Sequence, residues 1–124
     1  MTVEKDIHDL LTAVVPRTNP QIASVYPDVA PMTAVPPYAT YQQVGGESLS
    51  YMGREVPSKK NGRFQITVWA KTRLQASALA ISIENAFLQA EAFQATPLGS
   101  PIAAYEDGTN FYGTHQDFSV WSDR

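Results

Sequence analysis

Residues 63–91 read RFQITVWAKTRLQASALAISIENAFLQAE, a strand that runs directly into a helix. Phe64, Ile66, Val68 and Ala70 alternate with Gln65, Thr67 and Trp69, the period of two that sends successive side chains to opposite faces of a sheet. Thr72 followed by Gln75 is a capping-box spacing, in which each side chain can satisfy an orphan backbone donor of the other, so the helix starts there. The pattern carries it to about Glu91. At about 100° per residue, Ala76, Leu79, Ala80, Ile83, Ala86, Phe87 and Ala90 form one broad stripe, with alanines that let a sheet approach closely. Leu74, Ala78, Ile81 and Leu88 form a second, narrower stripe on the opposite side. One sheet cannot cover both. Leaving three large aliphatics exposed forgoes roughly 1.5 to 3 kcal/mol each, so the second stripe packs either on another helix of the chain or on another chain.

Working outward, Val3, Ile7, Leu10, Leu11 and Val14 give an N-terminal helix over Val3 to Val15, capped by Thr2 and ended by Pro16. Glu4 and Asp6 fall in its first turn, where the helix dipole favours carboxylates. This helix is the expected cover for the second stripe, because a helix apolar on two sides is usually sandwiched within its own domain. Arg17 to Pro37 holds five of the nine prolines and reads as an irregular connector, pinned by Ile22, Val25, Tyr26, Val29 and Met32. Tyr38 to Val44 is a second strong strand. Between it and Arg63 lies an oversized loop, Gly45 to Gly62, opened by Gly45-Gly46 and closed by Asn61-Gly62. Leu98 to Tyr105, a turn at Glu106 to Asn110, and Phe111 to Trp121 read as a closing hairpin. The sum is an α+β fold: a mainly antiparallel sheet with an N-terminal helix and a longer central helix packed on it, and a long loop between the first two strands. Residues 1–124 are expected to form a single domain.

The composition fits. With 124 residues, 44% of them hydrophobic, the chain can bury roughly 65 to 70% of its unfolded surface and needs no metal or disulfide for ordinary stability. Zero cysteines exclude thiolate metal sites, thiol nucleophiles and redox motifs. The longest apolar runs, Ala78 to Ile81 and Ile102 to Tyr105, are four residues each, so no membrane partner is expected, and the acidic start argues against a signal peptide. A formal charge of −3 argues against a dedicated nucleic-acid binder, and charged residues at 17% leave a rather neutral surface that suggests protein partners.

No catalytic constellation emerges. His8 and His115 are the two imidazoles, without a Gly-x-Ser-x-Gly elbow or the ligand spacing of a metal site, and both read as surface or satisfied histidines. Glu106 and Asp107 occupy a turn, which explains them by backbone geometry. Gly45-Gly46 and Met52-Gly53-Arg54 match no phosphate-binding loop. No cofactor is expected, and an enzyme is not. Charge is more informative: Arg54, Lys59, Lys60, Arg63, Lys71 and Arg73 are six of the nine basic residues within twenty positions. That predicts a basic, mobile loop, able to dock on an acidic neighbour or to touch nucleic acid weakly, with Tyr51 as its only aromatic.

The segments Val25-Tyr26-Pro27-Asp28-Val29-Ala30-Pro31, Pro37-Tyr38-Ala39-Thr40-Tyr41-Gln42, Gln65-Ile66-Thr67-Val68-Trp69-Ala70 and Phe118-Ser119-Val120-Trp121-Ser122 together resemble the small tail completion proteins of long-tailed bacteriophages, also described as tail terminator-like or head-to-tail joining proteins. The resemblance spans nearly the whole chain. It implies a structural α+β subunit of the virion tail, assembled in the host cytoplasm. The subunit would enter a homo-oligomeric ring of six that caps the tail tube protein and faces the head connector protein. In that setting Leu74, Ile81 and Leu88 become a subunit interface. Tyr51, Arg54, Lys59, Lys60 and Arg63 would contact neighbours or the lumen through which DNA passes. Another head–tail adaptor, or a small dimeric α+β ligand-binding module, is the alternative.

Overall fold

A computed structural model describes residues 2–17 and 21–124, so Thr18, Asn19 and Pro20 of the proline-rich connector lie outside the described residues. Thr2 opens α1 (Val3–Val14), its hydroxyl accepting from the Lys5 amide, and Val3, Ile7 and Leu11 are buried along one face. The connector then contributes a short strand, β1 (Val25–Pro27), that pairs in parallel with β2 (Tyr38–Gly45). This strand departs from the expected irregular path. Its one proline, Pro27, is compatible with it because β1 lies at the sheet edge, where an unpaired position needs no amide donor. Of the expected pins, Val25 is buried, while Val29 and Met32 are exposed. Buried Ser24 supplies the second anchor, donating to the Val15 carbonyl at 3.1 Å.

β3 (Lys59–Ala70) pairs antiparallel with β2 on one side and with β6 (Phe111–Asp123) on the other. The outer edge of β6 is shared by β4 (Gln94–Pro97), which pairs with its C-terminal half, and β5 (Ile102–Glu106), which pairs with its start. The expected strand from Leu98 to Tyr105 is therefore shorter, Ile102–Glu106, and β4 before it is an additional strand. The six-stranded sheet runs β1-β2-β3-β6-β4, with β5 also on β6. It is open and antiparallel except at β1.

Between β3 and β4 lies α2 (Arg73–Leu88), where Thr72 Oγ1 accepts from the Gln75 amide at 3.1 Å as the capping-box spacing requires. The helix ends at Leu88, three residues before the sequence estimate. Both helices cover one face of the sheet. Their apolar sides meet Val25, Ala39, Tyr41, Phe64, Ile66, Val68, Phe118 and Val120 in one core. Phe87 stacks on Phe118 at 4.4 Å, and burying each such ring stabilises the fold by about 1.5 to 3 kcal/mol. No helix among the described residues covers the opposite face, where Trp69 lies across Gly113 so closely that a Cβ there would sit 2.6 Å from the ring.

Candidate assembly surface

The connection between β2 and β3 is shorter than Gly45 to Gly62. Lys59 to Gly62 are strand residues in register with Val120 to Asp123, because the thirteen-residue β6 extends far enough to give them a partner. Asn61-Gly62 closes no turn. The Asn61 amide donates to Ser119 Oγ at 2.9 Å, its oxygen accepts from the Glu47 amide at 3.0 Å, and Gly62 leaves room for the Phe64 ring. What projects is an arm of residues 46–58.

The arm holds Glu47, Arg54 and Glu55 as its charged residues, so the expected basic loop is instead slightly acidic. Its exposed large apolar side chains are Tyr51, Met52 and Val56. Arg54 adopts a left-handed backbone (φ 63°), its amide donating to the Tyr51 carbonyl at 3.0 Å in a tight turn. Lys59, Lys60 and Arg63 sit on β3. Lys59 forms an ion pair with Asp123, and its hydrogen bond and charge hold that carboxyl below the usual carboxylate range. Arg63 Nε donates to Asp117 Oδ2 at 2.8 Å. Lys60 is half-buried and forms no ion pair among the described residues.

Arg73 has a role that composition could not assign. At the first turn of α2, its Nη1 donates to the Gly113 carbonyl at 2.9 Å and to Thr114 Oγ1 at 3.1 Å. Nη2 donates to the Ala104 carbonyl at 2.7 Å, and the guanidinium lies over the Tyr112 ring at 5.6 Å. One side chain thus ties the helix start to the β5–β6 hairpin. The cation is spent within the fold.

The second stripe of α2 is uncovered. Leu74, Ile81 and Leu88 are 84%, 60% and 55% exposed. The N-terminal helix was the expected cover, but α1 packs over β1 and β2 and meets α2 at its flank, while α2 lies over β3, β6 and β4. Side-by-side helices on one sheet leave each other's outer surface bare. The three residues therefore share one solvent-facing line, and the arm emerges nearest its Leu88 end, where Leu88 and Lys59 border one open groove of ≈ 500 Å³.

The candidate chemical residues stay apart. His8 Nδ1 is 3.2 Å from the Tyr41 hydroxyl, Asp117 is held by Arg63, and Glu106 and Asp107 are exposed at the hairpin tip. No group of three His, Cys, Asp or Glu side chains able to hold a metal occurs among the described residues. The space in the core beside Ile66, Ile83 and Phe118 is ≈ 10 Å³, far below the roughly 300 Å³ at which ligand pockets begin. No described helix is long and apolar enough to cross a membrane.

A small α+β subunit with one buried core, an uncovered apolar helix line and a projecting arm has the form of an assembly component. The family model of tail completion protein gp17 matches residues 7–122, nearly the whole chain. The chain belongs to this family of bacteriophage tail completion proteins, structural components of the virion that interact with other tail or head proteins. No curated protein matches it.

Proposed function

We propose that the protein completes the phage tail as a homo-oligomeric ring of six copies, capping the tail tube and presenting a surface to the head connector, without catalysing a reaction. Family membership over residues 7–122 carries the proposal. The uncovered line of Leu74, Ile81 and Leu88 supports contact between copies, since burying those side chains recovers roughly 1.5 to 3 kcal/mol each. This reading assigns contact with a neighbour or the tube lumen to Tyr51 and Arg54 on the arm, with Lys59, Lys60 and Arg63 at its base on β3. Contact with passing DNA is weak in this reading, because Lys59 and Arg63 are already paired with Asp123 and Asp117. Assembly takes place in the host cytoplasm, and residues 1–124 act as one domain.

Electron microscopy of lysates from a phage lacking this gene, beside the same phage complemented in trans, tests the proposal. Ragged or over-long tails separated from filled heads, restored by complementation, are expected. Normal virions without the gene reject it.

A further inference from the structure

Two glycines open the arm, and their surroundings are not those of a free joint. Gly45 and Gly46 have positive φ, 138° and 136°. A Cβ on Gly45 would meet open space, whereas one on Gly46 would sit 2.7 Å from the Asn61 carbonyl oxygen and 2.8 Å from Gly62 Cα. Those neighbours are backbone atoms of β3 paired in register with Trp121 and Val120, so moving them would break the ladder. Gly46 is glycine because two stretches of backbone touch there. Just before it, Val44 falls out of register between Gln43 and Gly45, and a bulge of that kind bends a strand in a set direction.

Asn61 fastens the same junction with its side chain. Its oxygen accepts from the Glu47 backbone amide at 3.0 Å, and its Nδ2 donates to Ser119 Oγ at 2.9 Å and to the Val120 carbonyl at 3.4 Å. The first arm residue past the glycines is thus tied to β6 through one side chain that itself stands on β3. The returning end is held as well: the Arg124 amide donates to the Ser58 carbonyl at 2.9 Å, Lys59 pairs with Asp123, and Pro57 is buried. An arm that sequence alone would leave swinging on a glycine pair is therefore fixed at both roots.

We infer that Asn61 is a positioning residue for assembly: with Gly46 it sets the direction in which the arm leaves the sheet, so that Tyr51, Met52 and Val56 are offered to the next tail protein on a preset element. Ordering a loop at an interface costs free energy, and an arm aimed in advance has less of that cost left to meet on docking. Asn61 contributes to the contact without touching the partner. The inference rests on the proposed contact of the arm with a neighbour in the tail.

The absence of native cysteine allows a pair of spin labels, at S50C on the arm and A78C on α2. In the otherwise wild-type chain they should give one narrow distance distribution. N61A broadens or shifts it while the protein still melts cooperatively, and G46A does the same and carries the test if N61A fails to fold. N61D keeps an acceptor for the Glu47 amide and another for the Ser119 hydroxyl, and should keep the narrow distribution. Hydrogen exchange at the Glu47 amide should be at least about fivefold faster in N61A than in N61D, the factor that one hydrogen bond of ordinary strength supplies. In the deletion phage N61D restores tailed virions and N61A does not. A broad distribution in the wild-type background overturns the inference, as do an N61A distribution that matches wild type and an N61D as loose as N61A. Full complementation by an N61A whose arm is loose overturns it too, because assembly then makes no use of the preset direction. Normal virions from the deletion alone reject the tail role and leave the spin-label result untouched, so either reading can fail by itself.

Discussion

Replacing Arg73 should loosen the β5–β6 hairpin from the rest of the fold. Its guanidinium makes three hydrogen bonds, at 2.9, 3.1 and 2.7 Å, and lies over Tyr112. Hydrogen bonds to a charged donor contribute about 1.5 to 3 kcal/mol each, but the three share one half-exposed group and water can replace part of what is lost. The cation–π contact adds about 0.5 to 1 kcal/mol. Arg73→Ala should therefore cost about 2 to 4 kcal/mol. For a chain of this size about 1 kcal/mol moves the melting temperature by about 4 °C, so the expected drop is about 8 to 16 °C. Arg73→Lys keeps the charge but cannot reach the Gly113 and Ala104 carbonyls with a planar fork, and should recover less than half of the loss. Thermal and urea melts of the three proteins measure this directly. A melt of Arg73→Ala within about 2 °C of wild type, or full recovery by lysine, would refute the role assigned to the fork.

Gly113→Ala places a methyl 2.6 Å from the Trp69 ring and should cost about 1 to 3 kcal/mol by overpacking, with a change in the near-ultraviolet tryptophan signal. Adding Trp69→Leu to that variant should restore most of the stability, and no recovery would mean the strain lies elsewhere. Burial, with the charge of Glu106 and then the Tyr26 phenol, raises the Tyr38 pKa above the ordinary phenol value, and burial with Asp28, Glu4 and Asp9 does the same for Tyr41. Both groups favour the folded state while neutral, so their contribution is fully present below pH ~10 and is lost as pH rises through their higher folded values. Absorbance titration at alkaline pH should show late-ionising tyrosines in wild type that disappear in Tyr38→Phe/Tyr41→Phe; an unchanged titration curve counts against their burial. Replacing residues 48–56 with a pair of glycines should change stability by about 1 kcal/mol or less, since loop closure varies slowly with length, yet fail to complement the gene deletion. Full complementation would remove the arm from the assembly surface.

Local physics accounts for what could be read in advance. The Thr2 and Thr72 caps, the alternation of β3, the start of α2 and the turn before Phe111 each depend on neighbours within a few residues. The differences lie where distant partners decide. Lys59 to Gly62 look like loop until the length of β6 provides a strand beside them. β1 and β4 are three and four residues long and each ends in proline, so their identity comes from β2 and β6. Arg73 resembles its basic neighbours in sequence, but its partners at Ala104 and Gly113 are 31 and 40 residues away. The α2 line was legible as residues, whereas its exposure depends on where α1 comes to rest, and no periodicity encodes that.

The same redistribution changes what kind of surface the protein offers. Six basic residues close together in sequence suggest an electropositive arm, and folding disperses them. Lys59 and Arg63 meet Asp123 and Asp117 across β3 and β6, and Arg73 turns to backbone carbonyls. The arm keeps Arg54 between Glu47 and Glu55. A phosphate backbone is gripped by free cations in number, and each one neutralised internally is one fewer counterion released on binding. Arg54, Lys60 and Lys71 stay outside the ion pairs but are scattered, whereas the exposed large side chains on the arm and on α2 include Met52, Val56, Leu74, Ile81 and Leu88. Contacts of that kind are made with protein, in keeping with a family whose members interact with other tail or head proteins.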